Sequence, residues 1–101
     1  MPREQDGFVY LMKDNRNRVK IGVATDVKKR FDNLKISNPD LEIYGKIPTK
    51  KYKSLETFIH KTLKEKNVGG EWFSPEDEII LSVFQIILNH GQEFEAYYII
   101  T

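Results

Sequence analysis

The chain contains no cysteine. That absence excludes a disulfide framework, iron–sulfur chemistry, thiolate metal sites and cysteine nucleophiles. No apolar run approaches the roughly 20 residues of a membrane-spanning helix, so no membrane partner is expected. The opening Met1-Pro2-Arg3-Glu4-Gln5-Asp6 lacks the apolar core of a signal peptide, and the expected location is cytoplasmic. Lys and Arg are missing from the last third: all 16 lie in residues 1–66 beside nine acids, giving +7, whereas residues 67–101 carry six acids and a charge of −6. The overall charge of +1 hides this asymmetry. A basic body with an acidic end is a footprint for phosphate, or else two solvated faces of opposite sign.

With 101 residues, 40% apolar and 31% charged, the composition suits one soluble globular domain over 7–101, preceded by a polar, flexible stretch over 1–6. Its organising segment runs from Phe8 to Arg30. Two short runs rich in β-branched and aromatic residues, FVYLM and RVKIGV, flank turn formers, which predicts a β-hairpin. Folding about Asn15 sets Tyr10 opposite Lys20, Met12 opposite Arg18 and Phe8 opposite Gly22. Strand alternation then gives these six one face, and gives Val19, Ile21 and Val23 the other. Asp26 is a good N-cap for a helix from Val27 to Ile36 whose apolar stripe is Val27, Phe31 and Leu34. Arg30 falls inside that stripe, where a charge is unusual.

Further on, Ser37-Asn38-Pro39-Asp40 breaks the helix, and Leu41 to Ile47 predicts a third strand ended by Pro48. Lys50, Lys51 and Lys53 form a basic loop around Tyr52, suited to a phosphate backbone or simply to solvent. Ser54 is the expected N-cap of a second helix to Lys66, with Leu55, Phe58, Ile59 and Leu63 inward and Glu56, His60 and Lys64 in a row beside them. Asn67 to Gly70 predicts a turn, and Trp72-Phe73 a short segment plugging the core. Ser74 is the expected cap of a third helix, with Pro75 first and Glu76, Asp77 and Glu78 favourable to the helix dipole. The nearly continuous apolar run Ile79 to Leu88 predicts burial on more than one side. Residues 93–101 fit a closing strand or an edge that pairs with a second copy in a homodimer. The predicted fold is α+β, a small three-stranded antiparallel sheet flanked by three helices in the order β-β-α-β-α-α, with a possible C-terminal strand.

The pieces Gly7-Phe8-Val9-Tyr10, Lys20-Ile21-Gly22, Arg30 eight residues on, and Glu56 on a later helix resemble the GIY-YIG nuclease superfamily. Together with Leu55-Glu56-Thr57-Phe58-Ile59-His60 and Gly70-Glu71-Trp72-Phe73, they resemble more particularly a small phage and bacterial branch described as a DNA-binding domain. The likeness covers residues 7–78. Lys20 stands where the name-giving motif has tyrosine. Only Asn67 lies near the position of a late asparagine that several members carry.

Such a resemblance implies a DNA partner and phosphodiester hydrolysis, which needs an activated water, a cation for the phosphate charge, and help for the leaving oxygen. Tyr10 would be the base, its phenolate favoured by the Lys20 ammonium across the hairpin. Arg30 would grip the phosphate with two N–H groups, held still by its apolar surroundings. Glu56 would ligate Mg²⁺ or Mn²⁺, and His60 would touch the leaving group or orient Glu56. Lys28, Lys29, Lys50, Lys51 and Lys53 are the expected DNA contacts. Taken singly, Tyr10 reads as a core tyrosine, Arg30 as half of an ion pair and His60 as a surface histidine. Taken together they read as a metal-dependent endonuclease, a DNA-binding domain that does not cut, or a protein-interaction domain of a phage or mobile element.

Overall fold

The structure is a computed structural model that describes residues 6–101. Most of the expected flexible stretch, residues 1–5, lies outside the described residues. Strands β1 (Gly7–Lys13) and β2 (Val19–Ala24) form the hairpin, and β3 (Glu42–Thr49) pairs with the other side of β1. Two short strands that the sequence reading did not foresee, β4 (Asn67–Gly69) and β5 (Trp72–Phe73), extend the sheet beyond β2. The result is a five-stranded antiparallel sheet in the order β3-β1-β2-β5-β4, with helices α1 (Val27–Ser37), α2 (Tyr52–Thr62) and α3 (Glu76–Phe94). The α+β class and the order β-β-α-β-α-α hold, with β4 and β5 inserted before the last helix. Among the described residues no helix is long and apolar enough to cross a membrane.

The hairpin register differs from the expected one by two residues: Tyr10 faces Gly22, Met12 faces Lys20 and Phe8 faces Ala24. The ladder closes at Lys13 and Val19, so the turn is centred on Arg16 rather than Asn15. A shift of two keeps every side chain on its face, because strand side chains alternate with period two. Val9, Leu11, Val19 and Ile21 accordingly pack with Leu55, Ile59, Ile79 and Val83 of α2 and α3. On the opposite face Tyr10 and Met12 pack with Val27, Phe31 and Leu34 of α1, and with Leu41 and Trp72. The faces are as predicted, but Lys20 is diagonal to Tyr10 instead of opposite it.

Several boundaries move for identifiable reasons. Pro48 lies within β3, which is tolerated because β3 is an edge strand and a missing N–H can face outward. Helix α2 begins at Tyr52, two residues before its expected cap Ser54, and ends at Thr62, followed by a 3-10 turn over Lys64–Lys66. Ser74 does not cap α3. Asn17, in the hairpin turn, does so from a distance, its side-chain oxygen accepting from the Glu76 N–H at 3.1 Å. Helix α3 is buried on one side only, through Ile79, Val83, Ile86 and Gly91, while Leu81, Phe84 and Leu88 are exposed. After α3 the chain returns to the free edge of β3, where Lys46 and Ile100 exchange both backbone hydrogen bonds. That contact is a single bridge rather than a strand, and it occupies the edge from within the chain.

Asp14 pins the hairpin turn. Its carboxylate accepts from the Arg18 guanidinium at 2.8 Å, from the Asn38 side chain at 3.1 Å and from the Arg16 N–H at 3.0 Å. The Arg18 guanidinium also lies 3.8 Å from the Trp72 ring centre. Burial alone would raise the Asp14 pKa, but these donors more than offset it and hold the carboxyl at about 2 against an ordinary 3.8. The unfolded chain therefore takes up this proton first as the pH falls. The contribution is complete above about pH 4 and disappears towards pH 2. Asp14→Ala should lose about 2 kcal/mol at neutral pH and flatten the stability profile between about pH 4 and 2, as measured by denaturant melts. An unchanged acid slope in the variant would contradict this role.

Candidate functional site

The site forms where β5 stops. β2 and β5 pair only at Val19 with Phe73 and Lys20 with Trp72. One residue further, the Ile21 N–H donates to the Glu71 carbonyl at 2.9 Å, and the Ile21 carbonyl accepts from His60 Nε2 at 2.8 Å. The acceptor being a carbonyl, His60 carries its proton on Nε2. Its ring stands edge-on to Phe73, with centroids 4.8 Å apart. A helix from one face of the sheet thus reaches the backbone edge of β2, and groups from both faces meet there.

Glu71, at the tip between β4 and β5, is the centre of this meeting, although the motif Gly70-Glu71-Trp72-Phe73 gives it no role. Its Oε1 accepts from the Tyr10 hydroxyl at 3.2 Å and lies 3.5 Å from Lys20 Nζ. The Arg30 guanidinium lies beside the Tyr10 hydroxyl and within the field of Glu71. Glu56 is near enough to Glu71 to be affected by its charge, and its Oε2 is 3.9 Å from His60 Nε2. Tyr10 and Lys20 therefore meet at one carboxylate, Arg30 lies beside Tyr10, and Glu56, paired with His60, lies within the field of that carboxylate. A clue to Glu71 was present: it is the only acid between Glu65 and Glu76, lodged between two glycines and two aromatics. Such a carboxylate needs a cation or an N–H to face.

Two expectations about the chemistry change. Burial, reinforced by the Glu71 charge and only partly opposed by Arg30, raises the Tyr10 pKa above its ordinary value. Tyr10 is thus a neutral phenol at pH 7 that donates a hydrogen bond, and the idea that Lys20 stabilises a phenolate is corrected. Arg30 is exposed along its length, not enclosed by the α1 stripe. Its guanidinium lies beside the Tyr10 hydroxyl, and that proximity raises its own pKa. Burial raises the Glu56 pKa, with His60 opposing and Glu71 adding to the rise.

The predicted DNA contacts are more scattered. Lys28 is paired with Asp32 at 2.7 Å and Lys51 with Glu95 at 3.5 Å. Lys29, Lys50 and Lys53 are exposed. Lys28 and Lys29 share α1 with Arg30, whereas Lys50, Lys51 and Lys53 lie where β3, the far edge of the sheet, passes into α2. Among the described residues no group of three or more His, Cys, Asp or Glu could by itself hold a metal ion.

Gly22 allows the centre to close. A Cβ there would fall on the Tyr10 hydroxyl and 2.6 Å from Glu71 Oε1, and Tyr10 is fully buried and has nowhere to retreat. Gly22→Ala should cost roughly 1–3 kcal/mol, as overpacking does. A melting temperature equal to that of the parent would show that the Tyr10 ring is not held as described.

A family model described as the T5orf172 domain matches residues 7–88. The GIY-YIG assignment made from the motifs is thereby corrected: the family that matches is the T5orf172 domain and not the GIY-YIG nuclease superfamily. The pieces that carried the resemblance are short, and a tyrosine on a hairpin strand followed by Ile-Gly is too common in small α+β domains to separate one family from another. No curated protein and no solved structure matches the chain significantly. The match spans most of the chain and takes in the whole constellation around Glu71, so the chain belongs to the T5orf172 domain family.

Proposed function

We propose that the chain is a DNA-processing domain that binds the phosphodiester backbone at the open edge of β2 and hydrolyses it with the help of a divalent cation. The observation that carries this reading is the convergence of Tyr10, Lys20, Arg30 and Glu56, from β1, β2, α1 and α2, around one place. Arg30 and Lys20 supply positive charge to a phosphate, Arg30 through a planar fork that matches two phosphate oxygens. Tyr10 donates a hydrogen bond to the same phosphate, which requires the neutral phenol.

Mg²⁺ or Mn²⁺ fits this donor set. Glu56 is a hard oxygen ligand whose charge is disfavoured by burial and by the neighbouring Glu71, a condition that a bound cation relieves. Such ions commonly take only one or two carboxylates from the protein. When bound, the ion would neutralise phosphate charge and make water easier to deprotonate. His60 has its Nε2–H committed to the Ile21 carbonyl and lies 3.9 Å from Glu56, so in this reading it anchors α2 at the site beside Glu56. Lys28 and Lys29 extend the basic surface along α1, and Lys50, Lys51 and Lys53 would follow the backbone further away.

A second reading has an observation behind it. Tyr10 is not poised as a base, so the same arrangement could hold DNA without cutting it. Incubation with plasmid and Mg²⁺ or Mn²⁺ separates the two. Cleavage should appear and fall roughly 100-fold or more in Glu56→Ala, the size of a lost catalytic group. It should also rise with pH as Glu56 ionises, and the rise should move to lower pH as the cation concentration increases, because cation and proton compete for the carboxylate whose pKa burial raises. Binding without cleavage would establish the second reading. In either case Arg30→Ala should weaken retention on DNA and reduce its salt dependence. Equal retention of parent and variant at low salt would remove DNA from this site.

A further inference from the structure

Two donors directed at one anion, the Tyr10 hydroxyl and the Lys20 ammonium, with the Arg30 guanidinium beside Tyr10, make a seat for a phosphate, and the chain already places an anion in it. We infer that the Glu71 carboxylate occupies the phosphate seat of the free protein, and that a DNA phosphate binds by displacing it. This inference rests on the DNA reading above and adds a competitor within the site.

The contacts of Glu71 are those of a replaceable occupant. It is received by the Tyr10 hydroxyl at 3.2 Å and Lys20 at 3.5 Å, long for charge-assisted hydrogen bonds, which run near 2.7–2.9 Å. The Asp14–Arg18 pair provides the comparison within the same hairpin. There the contact is 2.8 Å and the Asp14 side chain is 2% exposed, whereas the Glu71 side chain is 34% exposed. Asp14 is enclosed by its donors, while Glu71 borders solvent.

The Glu71 side chain has room to move while the turn that carries it is held by Asn67, whose amide donates to the Gly70 and Trp72 carbonyls and accepts from the Gly69 N–H. Gly69 and Gly70 precede it with φ of 130° and 53°, and a Cβ at either would meet nothing within 4 Å. The turn is therefore bordered by open space, and its positive φ values are ones that glycine adopts without strain. The backbone anchor, Glu71 carbonyl to Ile21 N–H, does not depend on where the side chain points. The carboxylate can swing out while β5 keeps its place. A carboxylate and a phosphodiester each present two anionic oxygens, so the donors that hold one accept the other.

The sign of one substitution tests the inference. Glu71→Gln should bind a short DNA duplex roughly five- to tenfold more tightly than the parent in fluorescence anisotropy without divalent cation, the effect of removing one competing charged partner. Glu65→Gln makes the same change in net charge at an exposed position on the 3-10 turn, and corrects for the general electrostatic gain. The excess of Glu71→Gln over Glu65→Gln should vanish when Arg30→Ala is added. Glu71→Ala, which removes the carboxylate entirely, should tighten binding in the same direction if the amide perturbs the fold. Affinity in both Glu71 variants equal to or below that of Glu65→Gln would overturn the inference while leaving the DNA reading intact. Failure of that reading has its own signature: no binding by the parent, or equal binding by the parent and Arg30→Ala.

Discussion

The arrangement depends on the shortness of β5. A sheet ordinarily separates its two faces, and here Tyr10 and Lys20 lie on one while α2 packs on the other. Because β5 pairs with β2 over two residues only, the Ile21 carbonyl is left to find a partner off the sheet. Buried backbone groups are almost always satisfied. His60 satisfies this one, and in doing so ties α2, with Glu56 one turn before His60, to the edge of β2. A β5 longer by two residues would cover the edge and keep the two faces apart. The interruption of one hydrogen-bond ladder thus gathers side chains from four separate elements.

The hairpin carries two ion-pair centres of opposite character. At its turn, Asp14 is buried, saturated with donors and held strongly ionised, which fixes the turn against the end of α1 through Asn38. That turn also presents Asn17 to the start of α3, so the loop that orders the hairpin orders the last helix too. Ten or so ångströms of strand further on, Glu71 meets Tyr10 and Lys20 loosely and in reach of water. The first centre contributes stability and the second leaves groups able to change partners. Their separation explains why Arg18, which faces Trp72, makes no contact with Glu71.

Face assignments were legible in the sequence because they depend on a period of two, which survives a misplaced turn. Phe8, Tyr10 and Met12 fell on the right face although each partner was misassigned by two positions. The helix starts were harder to see where the cap comes from elsewhere: nothing near Glu76 indicates that Asn17 would serve it. The exposure of Leu81, Phe84 and Leu88 was hidden for a similar reason, since a run of apolar residues does not tell which face a helix finds covered. Glu71 escaped notice because its importance is set by the end of β5, a feature of pairing rather than of composition. The family was also not legible from short motifs alone. Tyr10 and Lys20 meet at Glu71, a carboxylate to which the motifs gave no role, with Arg30 beside Tyr10 and Glu56 beside His60.

The central claim is that the open edge of β2 is where a phosphate rests. Titrating a short DNA duplex into isotope-labelled protein, and following backbone amides together with the Arg30 side-chain Nε–H by NMR, addresses it directly. The account predicts that the largest shifts fall on Ile21, Gly22, Glu71 and Arg30 Nε–H. Shifts confined to Lys50, Lys51 and Lys53, with those four unmoved, would contradict it.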